Sequence, residues 1–308
     1  MASSSFLHGF SVHTAFCNDV KIHFAQAGDG PAILLLHGHP QTHIVWRKIA
    51  PDLVAAGYHV IAPDLRGYGQ SDKPPSDATH RPYSKREMAK DMWQLMQSLG
   101  HHSFAVVGHD RGGRVAHRLA LDYPEAITQM VVLDIAPTLT MYERTDQEFA
   151  TRYFWWFFLI QPDGLPEKMI GQDPEYFLRR HIAGQVKIPG SVTDEIIAEY
   201  LKSYEKPETI HAICEDYRAS STIDLAHDKE DIQMKIKAPL LALWGAQSVV
   251  GDLYDVTATW QEKADKVTGY ALPCGHAVPE EAPELVKDHI LAFLKDEMAF
   301  YYDATADE

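Results

Sequence analysis

A chain of 308 residues with 45% hydrophobic and 23% charged side chains has the make-up of an ordinary globular protein, large enough for one α/β core with an insertion. Its 43 acidic and 28 basic residues give a formal charge of −15, which speaks against nucleic acid and anionic membrane surfaces as partners but not against a small anion drawn to local arginines. The 3 cysteines lack C-x-x-C spacing, the N-terminal "MASSSFLHGF" has no basic or long apolar region, and no apolar run is long enough for a membrane span, so reduced thiols, no signal peptide and a cytoplasmic setting are expected.

Short β-rich runs come first, at 11–17 and 20–28. "AILLLHG" (32–38) is a continuous apolar run suited to a buried central strand, and a helix is expected from about Thr42 to Ala56. "HVIAPDLRGYG" (59–69) reads as a strand entering a glycine-rich turn. Met88, Met92, Leu95, Met96 and Leu99 fall at helical spacing in 84–99, behind Ser84 as a plausible N-cap. Strand "FAVVGHD" (104–110) is followed by a helix from Arg111 to about Asp122, then by strand "QMVVLDI" (129–135). Residues 138–236 are rich in aromatics and charges and read as helices without buried strands. Strands return at 238–246 and 266–276, and a closing helix spans 283–294.

Strands alternating with helices predict a doubly wound, mostly parallel eight-stranded α/β sheet. The core would comprise 1–137 and 237–308, with 138–236 a helical cap inserted after the sixth strand, over the strand ends where open α/β sheets bind ligands.

Within that frame, Gly108-His109-Asp110-Arg111-Gly112 has the G-x-S-x-G pattern of a nucleophile elbow, with aspartate in the serine position. A carboxylate is ionised at neutral pH and needs no base to attack a saturated carbon, whereas a serine does. The resulting ester must then be hydrolysed by a base and oxyanion donors. His276 in "PCGHAVPEEAP" follows the last strand and is the candidate base. The backbone N–H groups of His39 and Arg111 are the candidate oxyanion donors. The acid that orients His276 is less obvious: Asp134, at the end of the sixth strand, is favoured over Asp252, and Asp255 also comes late after the seventh. The 17 histidines show no H-E-x-x-H or similar spacing, and the chemistry requires neither metal nor cofactor.

The motifs "LLHGHPQTHIVW", "DLRGYGQSDKP", "GHDRGGRVAHRLALD", "LDIAPT", "CEDYRA", "LALWGA" and "GHAVPEEAP" make the chain resemble the fluoroacetate (haloacetate) dehalogenases of the α/β-hydrolase superfamily, over nearly its whole length. The resemblance implies cleavage of carbon–halogen bonds in short 2-haloacids, with a haloacid and a halide ion as ligands and a homodimer as the assembly. It assigns Arg111 and Arg114 to the substrate carboxylate. Physics agrees, because guanidinium forks match a carboxylate and would offset the repulsion of about 4 kcal/mol between it and Asp110. It assigns the halide to a His-Trp pair and a tyrosine, which fall here on Trp155, Trp156 and Tyr217. Trp155 stands where the family has histidine; its indole N–H donates but cannot carry charge. An epoxide hydrolase, which shares the aspartyl-ester route, is the alternative.

Overall fold

The computed structural model describes residues 2–3 and 6–296. Its strands are β1 (Ala2–Ser3), β2 (Ser11–Cys17), β3 (Val20–Ala27), β4 (Ala32–Leu36), β5 (His59–Pro63), β6 (Phe104–His109), β7 (Ile127–Leu133), β8 (Leu240–Gly245) and β9 (Val267–Leu272). All eight expected strands are present, and the two-residue β1 extends the antiparallel edge. They form one sheet in the order β1-β2-β3-β5-β4-β6-β7-β8-β9. From β5 across to β9 the neighbours are parallel, and β1, β2 and β3 join antiparallel.

The apolar runs account for the centre of this sheet. Every residue of β4 and β6 is buried, because helices cover both faces of parallel strands. From β4 the chain steps one way to β5, and then returns to place β6 on the other side. The carboxyl ends of β4 and β6 therefore flank the topological switch point, the usual place for a ligand in an open α/β sheet.

Ser84 caps the helix Lys85–Ser98 by accepting from the Glu87 N–H at 3.3 Å, and Met88, Met92, Leu95 and Met96 face the core. The helix expected over 42–56 is broken instead. A 3₁₀ segment His43–Lys48 gives way at Ile49 to a short helix Ala50–Ala55. Pro51 explains the break, since it has no N–H to continue the hydrogen-bond ladder and restricts the residue before it.

Between β7 and β8 lie eight short helices spanning Thr138–Glu230, as the strand-free composition predicts. One of them, Pro207–Ser221, is buried along most of its length and carries Asp216 and Tyr217 back to the strand ends. Among the described residues, no helix is long and apolar enough to cross a membrane.

Candidate active site

Asp110 follows β6 and precedes the helix Arg111–Asp122 with φ 46° and ψ −115°, a conformation few non-glycine residues adopt. The turn is tight enough that neighbours must be glycine. A Cβ on Gly38 would lie 2.6 Å from the Asp110 Cβ, and one on Gly112 would lie 2.3 Å from the Leu36 carbonyl oxygen. The His39 N–H donates to Asp110 Oδ2 at 3.0 Å, so this oxygen already occupies the position an oxyanion would take. Oδ1 is the oxygen left to attack. Burial would raise the Asp110 carboxyl, but the charges of His276, Arg111 and Arg114 outweigh it and hold the group well below the usual carboxylate range.

His276 lies beyond β9 and Asp134 directly beyond β7, joined by a 2.6 Å contact between His276 Nδ1 and Asp134 Oδ2. The other Asp134 oxygen accepts from the Gly245 N–H at 2.9 Å and the Ser248 hydroxyl at 2.6 Å, which fixes the carboxylate plane. Nδ1 therefore carries the proton, and Nε2 is the basic nitrogen, buried and without a hydrogen-bond partner among the described residues. Burial opposes charge on His276, but its hydrogen bond to Asp134 and the charges of Asp134 and Asp110 keep its pKa above the ordinary value. Asp252 pairs with Arg152 and Asp255 caps the helix Val256–Gln261, so neither alternative acid holds His276.

The arginines differ from one another in a way the sequence did not suggest. Arg111 is fully buried, and its Nε and Nη2 donate to Asp216 Oδ2 and Oδ1 at 2.9 and 2.8 Å. Asp216 is in turn held by the Tyr68 hydroxyl at 2.7 Å and by Lys85. Only Nη1 of Arg111 is left unpaired. Arg114 is 3% exposed and reaches neutral acceptors alone: the Ala136 carbonyl at 3.2 Å, the Thr138 hydroxyl at 2.9 Å and Met141 Sδ at 3.3 Å. Its Nε has no partner, and among the described residues no carboxylate pairs with it. Burial and then the charge of Arg111 lower its pKa, and the charge of Asp110 offsets them only in part.

The cap aromatics converge on these groups. The Arg111 guanidinium lies 4.1 Å over the Tyr217 ring and that of Arg114 lies 4.7 Å over Trp156, whose indole N–H is unpaired. Trp155 packs edge-on against His181 with ring centres 4.7 Å apart. Two small cavities reach His276, about 10 Å³ against His39 and about 30 Å³ against Trp155. His39, His276, Arg111, Arg114 and Tyr217 thus gather around Asp110, with Asp134 behind His276, Trp156 against Arg114 and Trp155 at a cavity that reaches His276.

Three residues emerge only from the structure: Asp216, which clamps Arg111; Ser248, which fixes Asp134; and His181, between Trp155 and His39. Asp216 had a signal, since it sits beside Tyr217 within "CEDYRA". His181 had none among so many histidines.

An ionised carboxylate, an oriented imidazole, a backbone N–H aimed at the carboxylate and buried guanidinium groups with free donors can together displace a leaving group and hydrolyse the ester formed. Known proteins share this frame. Residues 31–283 match the model of the alpha/beta hydrolase fold. A fluoroacetate dehalogenase from Burkholderia sp. is 39% identical over 289 residues, covering 94% of this chain and 95% of its own. A soluble epoxide hydrolase from Corynebacterium sp. (strain C12) is 34% identical over 291 residues, covering 91% and 96%. A crystal structure from Salmonella enterica, of a protein provisionally assigned as an acyltransferase, is 56% identical with a TM-score of 0.94, covering 96% and 98%. With the family match spanning most of the chain and relatives aligned almost end to end, the protein belongs to the alpha/beta hydrolase family.

Proposed function

We propose that the protein is a hydrolytic dehalogenase that converts short 2-haloacids, haloacetate foremost, into 2-hydroxyacids and halide. The observation that carries this reading is Arg114, a buried cation that feels the charge of Asp110 but hydrogen-bonds to no carboxylate among the described residues. A substrate carboxylate supplies a hydrogen-bonded counter-ion, with Nη1 of Arg111 as a second donor.

In this reading Asp110 Oδ1 attacks the carbon bearing the halogen, and halide leaves with the bonding pair. Trp155, Trp156 and Tyr217 are the proposed halide donors. His276 Nε2 then takes a proton from water as the water oxygen adds to the Asp110 carbonyl carbon. The tetrahedral oxyanion sits on Oδ2, where the His39 N–H already points, with the Arg111 N–H as the second donor. Collapse breaks the ester bond, His276 returns its proton to the departing alkoxide, and the remaining proton passes to solvent. Asp134 holds the imidazole throughout.

A second reading, epoxide hydrolysis by the same aspartyl ester, is favoured by Tyr153 and Tyr217, two buried phenols that feel the Asp110 charge and could protonate an epoxide oxygen. An epoxide leaves Arg114 without a hydrogen-bonded counter-ion. Halide release from fluoro-, chloro- and bromoacetate, set against diol formation from styrene oxide, separates the two. Halide without diol supports the dehalogenase, and diol without halide overturns it.

A further inference from the structure

Trp155 stands between two cavities. Outside it lies a groove of about 590 Å³ between the helices Phe154–Phe158 and Pro174–Gln185, walled by Phe158, Ile170 and Phe177. Inside it lies the cavity of about 30 Å³ that reaches His276. Arg152, Trp155 and Gly184 line both spaces. His181 completes the partition: its ring lies edge-on to Trp155 at 4.7 Å on one side and to His39 at 4.6 Å on the other. Trp155 and His181 are each only 7% exposed, so both rings are packed into the partition.

We propose that Trp155, backed by His181, is the specificity-determining wall that limits the site to the shortest 2-haloacids. The proposal rests on the haloacid reading and names the part of the substrate that the wall excludes, the alkyl tail of a longer 2-haloacid. A tail on the carbon that Asp110 attacks meets the indole, because close-packed aromatic rings do not yield space for extra methylenes. The groove beyond has mainly apolar walls, with Arg152, Asp173 and Arg180 also in its lining, and it shares Trp155 with the inner cavity. Once the indole is gone, an alkyl tail has an apolar place to lie. An indole at this position is larger than the imidazole of the related pattern, so the chain is expected to be more selective for length.

The test compares bromoacetate with 2-bromohexanoate in the wild type, Trp155→Ala, His181→Ala and the double variant Trp155→Ala/Gly184→Leu. The wild type is expected to favour bromoacetate by at least about 100-fold in kcat/KM, and Trp155→Ala to reduce that preference by at least about tenfold. His181→Ala reduces it less. Gly184 lines both spaces and a Cβ there meets nothing within 4 Å, so Gly184→Leu adds bulk without a clash at the Cβ and is expected to restore part of the preference. The preference is a ratio, so a variant with lower overall activity still reports it. A wild type without preference, or a preference unchanged in both single variants, as when a second copy covers the groove, overturns the wall. Bromoacetate is the control on the haloacid reading: if it yields no halide, that reading fails by itself. Calorimetry with acetate and hexanoate then still reads the wall. A gain for hexanoate over acetate in Trp155→Ala supports it, and equal gains or none overturn it.

Discussion

Arg111 and Asp216 are joined by two parallel hydrogen bonds of 2.8 and 2.9 Å in the interior, although 105 positions separate them in the chain. This pair ties the helix that begins at the Asp110 elbow to the inserted helix Pro207–Ser221. Burial would raise the Asp216 carboxyl, yet Arg111 and Lys85 keep it well below the usual carboxylate range. Its stabilising contribution is thus complete above that range and is lost only as the pH falls through the depressed value. Asp216→Asn removes the carboxylate paired with the buried Arg111 and leaves the buried Lys85 with Asp224 alone. A loss of about 3–5 kcal/mol is expected, measured as a shift of the urea midpoint at neutral pH. A change within experimental error would show that the pair does not hold the insertion to the core.

Arg114 is expected to behave in the opposite sense. As a buried cation with neutral partners only, it opposes folding while preparing the site. Arg114→Met, of similar volume, should leave stability unchanged or higher. Activity on chloroacetate should fall by about tenfold to 100-fold in kcat/KM, the worth of one or two hydrogen bonds to a charged group. Denaturation and steady-state kinetics on the same preparation read both effects. A variant that is less stable yet equally active would place Arg114 in the scaffold.

Gly38 controls how closely the end of β4 approaches the elbow. Gly38→Ala puts a methyl group 2.6 Å from the Asp110 Cβ, a distance that forces one of the two to move. Displacing the nucleophile from the His39 N–H by a fraction of an ångström is expected to lower kcat by about 100-fold or more. Comparison of kcat with the urea midpoint separates misplacement of Asp110 from unfolding.

The Asp134–His276 pair sets a pH dependence. His276 acts as a base only when neutral, and its pKa lies above the ordinary histidine value. Hydrolysis of the ester should therefore rise with pH through that raised value and then level off. Asp134→Asn removes the anion that favours the charged imidazole, so the rise should move to lower pH. The plateau should fall by about 10³–10⁴-fold as the ring loses its orientation and tautomer. For stability the sign is reversed. A group with a raised pKa stabilises fully below its unfolded value, and this contribution is lost as the pH climbs through the folded one. Single-turnover rates across the pH range, with the variant alongside, check the assignment.

Much of this arrangement was legible in the chain because it depends on local pattern. Apolar runs mark β4, β6, β7 and β8, and the residues that follow them, His39, Asp110 and Asp134, owe their places to the strand ends. His276 follows β9 for the same reason. The commitments of Arg111 were not legible, since its carboxylate arrives on a helix of the insertion and no periodicity announces that meeting. The break at Ile49 could have been anticipated from Pro51. The place of His181 depends on how the inserted helices pack over the strand ends, which alternation and capping signals do not describe.

The most direct test is covalent trapping on Asp110. With His276→Asn the first step is retained and ester hydrolysis is lost, so incubation with chloroacetate should leave the protein heavier by one carboxymethyl group. Peptide mass spectrometry should place the added group on Asp110, with stoichiometric chloride in solution. Absence of the adduct while the folded variant is exposed to chloroacetate, or an adduct on any other residue, would contradict the aspartyl-ester route to dehalogenation.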